Sequence, residues 1–236
     1  MDPIIQKIRS ELRSGADEKT RISSQRFFRE KVLLYGVKTP VVGKIAKALY
    51  SEIRDRKKEE IFALCGELFK SGYMEESFIA CRGSYFLQKK YEPSDFRIFE
   101  RWVEKYVNNW AICDTLCNHT IGSFIEQYPE YIKELKKWAQ SGNRWVRRAA
   151  AVSLIVPAKQ GEFLKEAFEI SDILLADKDD MVQKGYGWLL KEESRKHQRE
   201  VFDYVLKNRK VMPRTALRYA IELMPKNLKV EAMKRE

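Results

Sequence analysis

The chain is poor in the residues that break helices or staple small folds. Among 236 residues there are 11 glycines, 7 prolines, 4 cysteines and 2 histidines. So little glycine and proline excludes a collagen-like or low-complexity chain. Four cysteines (Cys65, Cys81, Cys113 and Cys117) do not make a disulfide framework at this length and point to a reducing cytoplasm. No apolar run approaches the ~20 residues that span a bilayer, so no membrane partner is expected. The start, M-D-P-I-I-Q-K, has no apolar signal-peptide core. Sustained period-2 alternation is missing too, which leaves no strand to expect.

Several chemical signatures are also absent. There is no G-x-x-x-x-G-K-[ST], no G-x-G-x-x-G and no zinc-finger spacing, so nucleotide and cofactor binding have no support. Cys113 and Cys117 stand four apart in C-D-T-L-C-N-H. A structural zinc needs four ligands, and no second cysteine pair lies at a suitable distance, so both read as core residues and no metal is expected. Neither His119 nor His197 has a Ser or Cys partner in a nucleophile motif.

What is present is helical period. Hydrophobic residues make up 44% of the chain and recur at helical spacing almost throughout. Twelve or thirteen helices are expected, over 2–13, 19–34, from Thr39-Pro40, 57–70 and 74–91 in the first part. Ser94 then caps a helix with the stripe Phe96, Phe99, Trp102, Val103 and Tyr106. A helix capped by Asn109 runs from Trp110 to about 127, and others follow over 129–138, 144–156, 160–176, 180–193, 198–208 and 213–224. No linker divides the chain, so residues 1–236 read as one domain, with 225–236 expected to fray.

Basic residues outnumber acidic ones, 45 to 34, for a net charge of +11. That surplus suits a polyanionic partner, nucleic acid first, although a basic protein without such a partner has the same composition. The chain also repeats itself. F-I-A-C-R-G-S-Y-F-L, W-V-R-R-A-A-A-V-S-L, M-V-Q-K-G-Y-G-W-L-L and M-P-R-T-A-L-R-Y-A-I each place a basic residue before small residues and an apolar run. Those residues are Arg82, Arg148, Lys184 and Arg214, and Lys44 joins less securely. The steps are 38, 66, 36 and 30 residues. Midway through the long step, where another cation belongs, stands Asp114. A period of this size with two helices per unit predicts an α-solenoid of the HEAT or armadillo kind.

Cations recurring at the spacing of packed helices would track a phosphate backbone. A carboxylate among them is costly unless it has work to do. A neighbouring cation such as Arg148 and a nearby helix N-terminus both favour its ionised form. Held against DNA, it would stabilise an oxocarbenium-like sugar and orient water, which is what cleaving a glycosidic bond needs. Trp110 at Asp114 minus four and Trp188 at Lys184 plus four would offer faces to a cationic base. The plainer alternatives are that Asp114 pairs with Arg148 or Arg82, and that both tryptophans are core, as expected of Trp102, Trp138 and Trp145. Of the adjacent Arg147 and Arg148, one is expected on a solvated face.

F-F-R-E-K-V-L-L-Y-G-V-K-T-P (27–40), N-W-A-I-C-D (109–114), N-R-W-V-R-R-A-A (143–150), V-Q-K-G-Y-G-W-L-L-K-E (182–192) and M-P-R-T-A-L-R-Y-A-I (212–221) carry a family resemblance. In this order and at these intervals, the chain resembles the AlkD family of bacterial DNA alkylation repair enzymes over nearly its full length. The resemblance implies an all-α fold, HEAT-like repeats stacked in a C-shaped solenoid around duplex DNA. It implies a monofunctional glycosylase that hydrolyses the N-glycosidic bond of cationic N3- or N7-alkylpurines without a cofactor. It maps the catalytic carboxylate onto Asp114, the lesion-facing tryptophans onto Trp110 and Trp188, and the groove arginine onto Arg148. Phosphate contacts are expected at Lys44, Arg82, Arg147, Lys184 and Arg214. Where the family can carry a tyrosine near the groove, this chain has Phe27, which leaves a purely aromatic wall. A monomer in the bacterial cytoplasm is expected. The alternatives are a HEAT-like protein that grips damaged or branched DNA without chemistry, and a protein–protein scaffold.

Overall fold

The computed structural model describes residues 2–234. They fall into two units, one ending at Leu116 and one beginning at Cys117. Both are helical, and the β-structure among the described residues is a single isolated bridge between Leu33 and Tyr73.

The first unit holds seven helices: α1 (Pro3–Ser14), α2 (Glu18–Gln25), α3 (Thr39–Ile53), α4 (Lys58–Lys70), α5 (Met74–Phe86), α6 (Phe96–Tyr106) and α7 (Trp110–Thr115). Four of the five residues of the α6 stripe, Phe96, Phe99, Trp102 and Val103, are buried as the period predicts, and Tyr106 is half-buried. Trp102 meets Phe62 edge-on at 5.7 Å and Phe69 at 5.1 Å. The edge-on contact with Phe62 matches the positive ring rim of one aromatic to the negative face of the other.

One expectation for this unit is corrected. The second helix stops at Gln25, not near residue 34. Residues 26–38 instead run as an irregular, partly extended segment. Its alternation is real but hidden: Val32 and Leu34 are buried, while the intervening Leu33 is 49% exposed although it is apolar. The segment is held from outside. Glu75, buried at the start of α5, accepts hydrogen bonds from the backbone N–H groups of Tyr35, Gly36 and Val37 at 3.1, 2.8 and 3.2 Å. Gly36 has φ +88°, a backbone region that favours glycine. Beside it, Glu76 takes a two-pronged bond from Arg9 and a bond from the Tyr35 hydroxyl at 2.7 Å.

The second unit holds α8 (Gly122–Gln127), α9 (Ile132–Trp138), α10 (Arg144–Val152), α11 (Ile155–Gln160), α12 (Leu164–Leu174), α13 (Asp180–Glu193), α14 (Gln198–Asn208), α15 (Arg214–Ala220) and α16 (Lys226–Met233). Helix α13 lies at its centre, with Val182, Tyr186, Leu189 and Leu190 fully buried. Gly187 lets α15 come close, since a Cβ there would lie 2.7 Å from the Ala216 carbonyl oxygen.

Among the described residues, sixteen α-helices exceed the twelve or thirteen expected, because periodic segments are interrupted. Residues 144–156 break between α10 and α11. Pro157 has no N–H and its ring crowds the carbonyl four residues back, at Ser153. Gly161, with φ +85°, then ends α11 in a left-handed cap, so the next helix begins at Leu164. The tail expected to fray is helical over Lys226–Met233: Ala232 is buried, and Arg214 and Arg209 donate to the carbonyls of Met233 and Glu231. Residues 235 and 236 of that tail lie outside the described residues.

Candidate functional site

In the first unit the site is built on α7. Asn109 caps it as its sequence predicts, its side-chain oxygen accepting from the Ile112 N–H at 3.0 Å. Asn109 is fully buried, so the cap anchors the helix start in the core. Trp110 follows at once and is half-buried rather than core. Its ring stacks on Phe28 at 5.4 Å with planes 21° apart, and its N–H donates to the Phe27 carbonyl at 3.3 Å. The segment 26–38 that Glu75 secures therefore also sets the pose of Trp110. Phe27 itself is 75% exposed, so its backbone, not its ring, touches Trp110.

Asp114 lies one turn beyond Trp110 on the same helix, half-buried. Cys113 beside it is buried and free, as are Cys65, Cys81 and Cys117. Burial pushes the Cys65 thiol up to about 12, so that sulfur stays protonated. After Thr115 the helix widens into a π segment over Leu116–Ile121. Such widened turns recur at functional sites because they shift the register of the side chains that follow. No set of three His, Cys, Asp or Glu residues placed to hold a metal occurs among the described residues.

Lys44 on α3 and Arg82 on α5 also belong to the first unit, and both are exposed. The Arg82 guanidinium rests over Gly43, 3.4 Å from where a Cβ would stand.

In the second unit the expected residues are placed differently. Arg148 is only 5% exposed and donates to the Met181 carbonyl, with its stem packed against Gly185. Neither arginine of the pair is on a solvated face. Arg147 pairs with Asp177 at 2.6 Å and donates to the Ser141 and Gly142 carbonyls. Lys184 pairs with Asp180 one turn away at 3.1 Å, and Arg214 donates to the Met233 carbonyl at 3.0 Å. Trp188 is half-buried, its N–H donating to Glu192 at 3.1 Å. Trp102, Trp138 and Trp145, by contrast, are core as expected.

Residue patterns alone missed Phe28 and Glu75. The signal for Glu75 was legible: two adjacent glutamates open a helix, M-E-E-S-F-I-A-C, that is apolar on most faces, and charges in a buried helix need partners.

Comparison with known proteins adds the following. The chain matches the family described as DNA alkylation repair enzyme over residues 8–224. A solved structure described as a predicted DNA alkylation repair enzyme from Enterococcus faecalis superposes with a TM-score of 0.80 at 16% identity, covering 89% of this chain and 97% of that one. The crystal structure of smu.31 from Streptococcus mutans UA159 superposes with a TM-score of 0.57 at 20% identity, covering 80% of this chain and 96% of that one. At such identities the likeness is one of fold, all-helical in its described residues. No curated protein matches the chain.

Proposed function

This chain belongs to the DNA alkylation repair enzyme family, and on that premise we propose that it is a monofunctional DNA glycosylase for cationic N3- and N7-alkylpurines in duplex DNA. The observation that carries the reading is the α7 arrangement: a half-buried carboxylate, Asp114, one turn from an indole clamped by Phe28 and the Phe27 carbonyl. Alkylation makes the purine a cation, hence a good leaving group that takes the bonding electron pair with it. Little acid catalysis is needed. Asp114 stabilises the positive charge that builds on the sugar and accepts the proton of the water that attacks C1′. The products are a neutral alkylated base and an abasic sugar, with no cofactor consumed. Trp110 and Trp188 present electron-rich faces to the cationic nucleotide. The exposed Lys44 and Arg82 are assigned to the DNA backbone, whereas Arg147, Arg148, Lys184 and Arg214, expected there from the repeat register, are engaged within the protein; Phe27 supplies an exposed apolar wall. The protein acts as a monomer in the cytoplasm.

Incubation with methylated duplex DNA, with free 3-methyladenine and 7-methylguanine measured, tests this. The wild type should release base. Asp114→Asn should lose on the order of 100-fold or more of that rate. The mutant should bind DNA as well or better, since a negative charge near phosphate is gone. Undiminished release by Asp114→Asn removes the carboxylate from the reaction. Salt-dependent binding without any release points to a binding protein instead.

A further inference from the structure

A second place in the first unit has the makings of a nucleic-acid site, and neither Asp114 nor Trp110 lines it. It is a cavity of about 480 Å³ between α3 and α5, lined among others by Gly43, Lys47, Tyr50, Arg82, Tyr85 and Phe86. Phe86, in the last turn of α5, is 53% exposed. One face of its ring stacks on buried Tyr50 at 5.6 Å with planes 22° apart. Tyr50 is itself fixed, its hydroxyl donating to the Ile79 carbonyl at 3.0 Å. It lies so close to α5 only because residue 83 is glycine: a Cβ there would meet the Tyr50 hydroxyl at 1.5 Å. The floor of the cavity is therefore a rigid aromatic stack that ends in an exposed ring.

The rim is cationic. No carboxylate lines the cavity. Lys47 and Arg82 on its wall, and Lys44 one turn earlier on α3, make no ion pair or side-chain hydrogen bond among the described residues. The Arg82 guanidinium is seated over Gly43, where a Cβ would come into contact with it at 3.4 Å.

We propose that this cavity takes one unpaired nucleotide of a DNA strand, its base stacked on Phe86 and its phosphate held by Arg82 and Lys47. Aromatic faces flanked by unpaired cations are how proteins hold single-stranded nucleic acid without reading sequence. A duplex base has both faces covered by its neighbours and cannot use the ring. An unstacked base has a free face, so the site selects unpaired over paired DNA. A peptide partner would need acidic side chains for the cations and an apolar residue for the ring, whereas one nucleotide supplies both an anion and a planar apolar face. The proposal rests on the reading of this protein as a DNA binder but not on its chemistry.

Two labelled duplexes of equal length test it by fluorescence anisotropy, one fully paired and one with a single-nucleotide bulge. The wild type should bind the bulged duplex roughly ten-fold more tightly. Phe86→Ala should lose that preference while its affinity for the paired duplex stays unchanged, and Phe86→Trp should keep it. Arg82→Ala should weaken binding to both and lower the salt slope by about one. Circular dichroism melts check that each variant folds. Equal affinity of the wild type for the two duplexes, or a preference that survives in Phe86→Ala, overturns the proposal. Release of methylated base without any bulge preference leaves the glycosylase reading standing alone. Bulge preference without release leaves this site standing and removes that reading. Failure to bind either duplex removes both.

Discussion

The two units use the same repeat position in opposite ways. In the first, Lys44 and Arg82 are exposed and have no internal partner among the described residues. In the second, the corresponding cations are committed. Three aspartates at the N-terminus of α13, Asp177, Asp179 and Asp180, pair with Arg147, Arg144 and Lys184, while Arg148 and Arg214 are spent on backbone carbonyls. Buried carboxylates show the reverse contrast. Glu75 and Glu76 of the first unit are saturated by backbone N–H groups, an arginine and a tyrosine hydroxyl. Glu193 of the second unit is fully buried with neither oxygen hydrogen-bonded. A shared register thus fixes where a charge emerges on its helix, not whether it is free to act. A cation already neutralised inside the protein is not available to neutralise a phosphate and displace the counterions condensed on DNA, so it adds little to salt-dependent affinity.

The strongest test of this contrast is Glu75→Gln. An amide keeps one acceptor oxygen but puts a donor where the Tyr35 N–H now points, and it removes the charge. The change should cost about 2–3 kcal/mol, seen as a fall in Tm of roughly 5–10 °C. A melt unchanged within error would show that residues 26–38 do not depend on that carboxylate.

Next come the arginines. Arg147→Ala should destabilise by about 1–2 kcal/mol, because it strips Asp177 of a half-buried partner, yet leave the salt slope of DNA binding nearly unchanged. Arg82→Ala should leave the melt alone and flatten that slope by about one. The opposite pattern would dissolve the distinction between committed and free cations.

Glu193 gives the smallest effect, and it shows as a pH dependence of stability. Burial, aided by the charge of Glu166, pushes its carboxyl up to about 8, against an ordinary value of 4.5. The folded state therefore holds this proton more tightly than the unfolded chain does. That contribution to stability is complete below the unfolded value and is lost as pH rises through about 8. Tm should fall between about pH 5 and 8 in the wild type, and Glu193→Gln should flatten the decline. A mutant whose Tm tracks the wild type across this range would show that Glu193 finds a partner for its charge in solution.

Much of this was legible in residue spacing. Helical period alone placed the α6 stripe in the core and Asn109 at a cap, because a buried face must repeat every 3.6 residues and a helix start needs an acceptor. Local pattern failed where the cause was remote. K-V-L-L-Y-G-V reads as helix because Leu33 is apolar, and only Glu75, some forty residues on, makes it extended. The sequence by itself determined an all-helical repeat protein with an excess of positive charge, and put Asp114 one helical turn from Trp110. Only the tertiary structure decided that Phe28 stacks on that indole, that Lys44 and Arg82 stay free, and that Arg147 and Lys184 do not. Period and charge are properties of a segment, whereas whether a charge is free depends on the side chains that distant segments bring beside it.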